Sequence, residues 1–291
     1  MGPKNLVVLS DPAQLRELFQ RRGALYSGRP YMYIPQEHVM KPGDSHVLFM
    51  QDGSALREWK TAAREMTDQK SVAKLAPLQV GLASKLVWQL AKDPAGWSRY
   101  SGEWSLSVPI LCVAGQTLDD YPHGFGEYYL DVQKQWLELL EPGNTPPVDI
   151  YPFLAYVPDF LARWKARAAH ASKVLYDVYG CLVNAAKEKA ASGKQYPYTP
   201  VLVRLIRERN FSPDRGKEGD EESFGDTKPP IRDSQLLSLG SGLLDASVDS
   251  MHAVVETLIL IMVKHPSKLA RLRAEIDAVT NYRENTGKYD K

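Results

Sequence analysis

Apolar positions recur at helical spacing through most of this chain, and strand-like sequence is confined to its first few residues. Leu6-Val7-Val8-Leu9 is β-branched and apolar enough for a short strand. Asp11-Pro12 then supplies an N-cap with proline at the first helical position. Leu15, Leu18 and Phe19 form one apolar stripe behind it, and Gly23 is placed to end that helix. Residues 26–50 lose the period and carry five tyrosines and prolines in their first ten positions. That predicts a long surface loop, of a kind uncommon in a compact domain unless it binds something. Helical spacing returns over 54–90, with a break near Pro77, and again over 104–119 and 123–140. A connection holding five prolines spans 142–158, followed by a long basic amphipathic helix over 159–191 and a shorter helix over 197–210.

Composition then changes. Residues 212–230 are charged, contain glycine and proline, and are almost free of apolar side chains, so a mobile solvated loop is expected there. One helix of about 30 residues, roughly 45 Å long, follows over 233–263. It stops at Lys264-His265-Pro266, and Ser267 caps a last helix to about 279. The fold class is mostly α, read as a single domain over 1–291.

At 44% apolar residues the chain can bury a core. Its 36 basic and 35 acidic residues give a formal charge of +1, which argues against a nucleic-acid partner. Two cysteines are too few for a disulfide scaffold and suit a reducing compartment. The longest apolar run, 251–263, contains His252 and Glu256 and reads as a buried helix segment. No signal peptide or membrane span is therefore expected, and the placement is cytoplasmic, with the endoplasmic reticulum surface as the alternative. The six histidines lack metal-ligand spacing, and no phosphate loop or dinucleotide fingerprint occurs. His252 reads as a core histidine. Gly240-Ser241-Gly242 is not a nucleophile elbow, and Ser241 reads as a small packing residue.

Several segments, taken in order, carry a resemblance. Ser10-Asp11-Pro12 with Tyr26-Ser27-Gly28-Arg29-Pro30, then Leu48 to Gly53, then Pro147-Val148-Asp149-Ile150-Tyr151-Pro152-Phe153-Leu154, and finally Leu243 to Ser250 with Val263-Lys264-His265-Pro266, are collinear along nearly the whole chain. Together they resemble the front half of the cytochrome P450 family in its fungal form. The resemblance implies the N-terminal helical portion of that fold, with a short N-terminal strand. In the family an "A-G-x-D-T" segment crosses the distal face of a haem, where the acid and alcohol relay protons. Here Ala246-Ser247-Val248-Asp249-Ser250 matches it, with Ser247 for glycine and Ser250 for threonine. The resemblance thus implies Asp249 and Ser250 as catalytic groups, with Ala246 and Ser247 lining a pocket. Read without it, Ser247, Asp249 and Ser250 are ordinary polar residues of a partly solvated helix. Tyr31 and Tyr33 either gate the substrate or simply cover the core.

The departures from the family pattern matter as much. Its "W-x-x-x-R" motif, which holds a haem propionate, aligns with Leu56-Arg57-Glu58-Trp59-Lys60, so lysine replaces arginine. Lys60, with Arg57, would face a propionate if haem were bound, as a point charge without arginine's bidentate fork. A plain surface cation is the other reading. Neither Cys112 nor Cys181 sits in the "F-x-x-G-x-R-x-C" loop that ligates the iron, and no "E-x-x-R" brace occurs. The expectation is a truncated relative with no cofactor of its own, haem being the family's. Two function classes follow: a chain unable to oxidise anything alone, or a haem-independent protein. The second would cyclise, isomerise or hydrolyse a terpenoid or polyketide-type precursor, or partner a full-length oxygenase. Partners expected are a hydrophobic small molecule and a second copy or an oxygenase.

Overall fold

The computed structural model describes residues 7–41, 44–196, 198–209 and 231–286. Among these the chain is helical, and an isolated bridge between Pro142 and Thr145 is the sole β pairing described outside named strands. The strand expected at the N-terminus does not form over residues 7–9. Val7 and Val8 lie exposed, and a strand needs a partner's ladder that no neighbouring segment offers. The charged stretch 212–230 lies outside the described residues.

α1 (Pro12–Leu15) is capped by Asp11, whose carboxylate accepts the Ala13 N–H at 2.9 Å. It runs on as a π-type turn to Arg21, and Gly23 opens α2 (Gly23–Tyr26) instead of closing the helix. Leu15 and Phe19 stay exposed, so the predicted stripe covers no core. The segment expected as a surface loop is partly internal. A π-type turn over Pro35–Val39 buries Ile34, Pro35 and Val39, and His46 and Phe49 are buried further on. Ser172 Oγ donates to the Val39 carbonyl at 2.6 Å, and the Tyr176 hydroxyl accepts from the Lys41 N–H at 2.9 Å.

α3 (Ser54–Thr67) and α4 (Gln69–Lys92) separate at Asp68, not at Pro77. Asp68 takes extended backbone and accepts the Ser71 N–H at 2.8 Å, an N-cap that starts a new helix. Pro77 is carried inside α4 on its exposed side, where the carbonyl it frees faces water. α5 (Trp97–Ala114) begins a full turn and more before the expected position and ends at Gly115. There φ is +72°, and the Gly115 N–H reaches the Ile110 and Leu111 carbonyls. α6 (Phe125–Leu140) buries Tyr129, Val132, Gln133, Trp136 and Leu139, one face at helical spacing. A proline-rich connection with exposed Phe153, Tyr156 and Phe160 leads to α7 (Arg163–Ala191), and α8 (Val201–Arg209) follows.

α9 (Asp233–Lys264) is the axis of the assembly. α5 packs along it, α7 crosses it, and α10 (Pro266–Thr286) continues beyond it. One core cluster joins α6, α7 and the middle of α9. A second joins α7, α8 and the start of α9, and a third joins α4 to α5. α9 is long and apolar enough to cross a bilayer by length and composition alone, a test that the core helix of a soluble protein also passes. Its first half is core all the same: Leu236, Leu244 and Val248 are fully buried.

Small residues let the neighbours close on that first half. A Cβ built on Gly242 would stand 2.9 Å from Val47 Cγ1 and 3.0 Å from the Trp59 ring. Gly242→Ala is therefore expected to cost about 1–3 kcal/mol through forced displacement of that ring. Gly81→Ala, at an exposed α4 site with nothing within 4 Å, should gain about 0.5–1 kcal/mol. Urea unfolding of both variants checks the contrast. Equal effects would mean that α3 does not rest on α9 through Gly242.

Candidate functional site

The middle turns of α9 carry the residues singled out by motif. Ala246, Asp249 and Ser250 are exposed, and Ser247 is half-buried. Ser247 Oγ donates to the Leu243 carbonyl at 2.7 Å, and Ser250 Oγ lies 2.8 Å from the Ala246 carbonyl and 3.1 Å from that of Ser247. Both hydroxyl protons are thus engaged by the helix itself, leaving the oxygens as acceptors. Asp249 and His252 line an open cleft of about 410 Å³ against Leu130, Lys134 and Leu137 of α6. Partial burial there, reinforced by the charge of Asp245 one turn earlier and opposed by His252, raises the Asp249 carboxyl above the ordinary range.

The other motif residues lie elsewhere. Arg57 and Lys60 are exposed on α3, while Leu56 between their turns is buried. The Tyr31 hydroxyl donates to Glu37, and the Tyr33 N–H donates to Asp149 Oδ1 at 2.8 Å. The Tyr33 ring meets His38 edge-on, with centroids 5.3 Å apart. These bonds tie the tyrosines to their own segment and to the α6–α7 connection, not to α9.

A stronger constellation centres on the residue just before the motif, one turn ahead of Asp249, and sequence reasoning passed over it. Asp245 Oδ1 accepts the Tyr129 hydroxyl of α6 at 3.0 Å. The Tyr179 hydroxyl of α7 lies 2.8 and 2.7 Å from the two carboxylate oxygens. His46 Nε2 stands 3.3 Å from Oδ2, and His46 is almost wholly buried. The tautomer follows from its other nitrogen: Nδ1 lies 3.3 Å from the Leu48 N–H and accepts from it, so Nε2 carries the proton. Gln133 Nε2 approaches the Asp245 carbonyl at 3.5 Å. Burial, and next the charge of Asp245, pushes both phenols well above the usual tyrosine range, so they remain donors. The signal was available as a lone carboxylate flanked by Leu243-Leu244, with Tyr129 and Gln133 four residues apart on an apolar helix face.

Cys112 is not set up to offer a thiolate to an iron. Cys112 packs with Leu75, Val108 and Tyr198, and burial pushes its thiol up to about 11. Cys181 is exposed on α7. Among the described residues no three His, Cys, Asp or Glu side chains gather into a metal site. These side chains alone do not fit the proximal side of a haem.

The Cytochrome P450 family model matches residues 1–290. Among curated proteins, cytochrome P450 monooxygenase grgG of Penicillium sp is 26% identical over 290 residues, covering 94% of this chain and 48% of the relative. Cytochrome P450 monooxygenase macC of Penicillium terrestre is 26% identical, covering 96% and 49%. Cytochrome P450 monooxygenase yanC of Aspergillus niger is 28% identical, also covering 96% and 49%. The chain spans about half the length of the curated relatives it matches.

Removing the Asp245 carboxylate strands two buried phenol donors at once. Asp245→Ala should destabilise the fold by about 2 kcal/mol or more, at roughly 1–3 kcal/mol for each unsatisfied buried group. Tyr179→Phe, which removes one donor, should cost about 1–1.5 kcal/mol. Urea denaturation of the two variants decides, and a loss below about 0.5 kcal/mol for Asp245→Ala would mean the network holds nothing together.

Proposed function

The chain belongs to the cytochrome P450 family, and we propose that it serves as the helical half of a fungal haem monooxygenase fold, active only when a second half covers α9 and α10. The observation that carries this reading is the change of character along α9. Its first half is core, whereas Val254 is 68% and Leu258 53% exposed, and Ile261 and Val263 follow. α10 continues the surface with Leu272, Ile276 and Val279. Fully burying each such side chain is worth about 1.5–3 kcal/mol, so a matching surface would be held firmly. The relatives' additional length supplies a candidate for it. No step of the chemistry is assigned to these residues alone, because the thiolate must come from outside them.

Co-expression with the C-terminal half of the Penicillium grgG relative tests this. The two halves should co-purify and acquire a thiolate-type haem absorption band, and Leu258→Glu with Ile276→Glu should abolish both. Failure of the wild-type chain to retain that half would overturn the reading.

The cleft at Asp249 favours a second reading, a haem-independent acid–base catalyst acting on a hydrophobic precursor. Because its folded pKa is raised, ionised Asp249 opposes folding. Asp249→Asn should match wild-type stability well below the unfolded carboxyl pKa and exceed it increasingly as pH rises through the folded one. On the second reading the same variant should also lose roughly 10²–10⁴-fold in turnover. Equal, nonzero turnover by both proteins would remove Asp249 from any mechanism.

A further inference from the structure

A second concavity opens where α8 ends and α9 begins, on the far side of α3 from Leu56 and Lys60. Its volume is about 540 Å³, within the range of small-molecule sites. Ser238, on its wall, lies eleven residues before Asp249 on α9, about 16 Å along the helix axis. It is therefore separate from the α6–α9 cleft and from the surface that the proposed function requires.

Three features of the wall define what it accepts. The first is an apolar body: Met50, Ala55, Leu205, Ile231 and Leu239 line it, with the Trp59 ring, whose Nε1–H reaches the Ser238 carbonyl at 3.4 Å. The second is charge balance. Arg209, with its side chain nearly buried, is paired with Glu58, and Glu58 Oε2 also accepts Gln235 Nε2 at 3.3 Å. Glu208 and Arg232 offset one another at the rim. Among the described residues the wall thus shows no net charge to attract an ion. The third is a polar group closed off behind the wall: Ser238 is nearly buried, and its Oγ has neither a hydrogen-bond partner nor an open face on the cleft.

We propose that this cleft binds an uncharged, largely apolar small molecule of a few fused or linked rings, lying against Trp59 and the aliphatic wall. Such a ligand would join α3, α8 and α9 and stabilise the start of the central helix without touching the residues assigned to chemistry. Its binding would raise thermal stability by mass action.

The test uses the full chain and N-phenyl-1-naphthylamine, a neutral fluorescent probe, against its sulfonated analogue. The neutral probe should bind more tightly than the anionic one. Ala55→Trp and Thr61→Trp are exposed substitutions that fill the mouth. Each should weaken neutral-probe binding roughly ten-fold or more while circular dichroism and urea unfolding stay unchanged. Leu258→Glu, on the exposed face of α9, should leave that binding intact. Three results would each overturn the proposal: unchanged affinity in both tryptophan variants, loss of binding in Leu258→Glu alone, or preference for the anionic probe. Binding that arises only after residues 214–226 are deleted would mean the chain itself fills the cleft, and would overturn it as well.

Discussion

A carboxylate placed in the interior must be met by donors, and Asp245 is met by two phenols with an imidazole close beside them. They come from α6, from α7 and from the segment before α3, so one side chain on α9 ties together parts of the chain up to 199 positions apart. Desolvating the charge is costly, and only a filled acceptor shell offsets that cost. Apolar packing around it, with Trp136 and Phe49 edge-on to each other and His46 beside both, tolerates small slides. Two phenols at 2.7–3.0 Å do not. The register of α6 and α7 on α9 is therefore set by hydrogen bonds and filled in by hydrophobic contact.

The same helix shows two ways of using its length. Before Asp245 it carries Ser238, Gly240, Ser241 and Gly242, all buried, so that α3, α5 and α8 approach its backbone. After Asp249 it carries large aliphatic side chains with little covering them. Small residues spend side-chain area to gain close approach, and large ones need a partner surface. The switch in residue size therefore marks where this half of the fold stops being self-sufficient.

Much of the helical order was legible in the sequence, because burial on one face imposes its period wherever a helix lies on a core. α6, α7 and α9 were recognisable within a few residues for that reason. Boundaries governed by single side chains were not: Asp68 ends one helix and caps the next, while Pro77 breaks nothing because its freed carbonyl is solvated. Strand-like composition at residues 6–9 cannot become a strand without a neighbour. The polar centre was hidden differently. Motif matching led to Asp249, whereas Asp245 is distinguished by Tyr129 and Tyr179, which are 116 and 66 positions away. No local pattern records such a meeting.

Two acids one turn apart on α9 consequently have divided roles, and the division is electrostatic. Asp245 has its oxygens met by two phenols, with the His46 imidazole beside them, and it lines none of the clefts described above. Asp249 lies against α6 with an open approach, and its partial burial, with its neighbour's charge next, favours its protonated form. On the second reading proposed above a proton held there would serve a molecule in the cleft, whereas the phenol protons at Asp245 are engaged in structural bonds. The structural acid therefore conditions the accessible one. Removing the charge at Asp245 would loosen α6 and α7 and also lower the tendency of Asp249 to hold a proton, so the two effects of that change can be separated only by a variant such as Tyr179→Phe that weakens the network while keeping the charge.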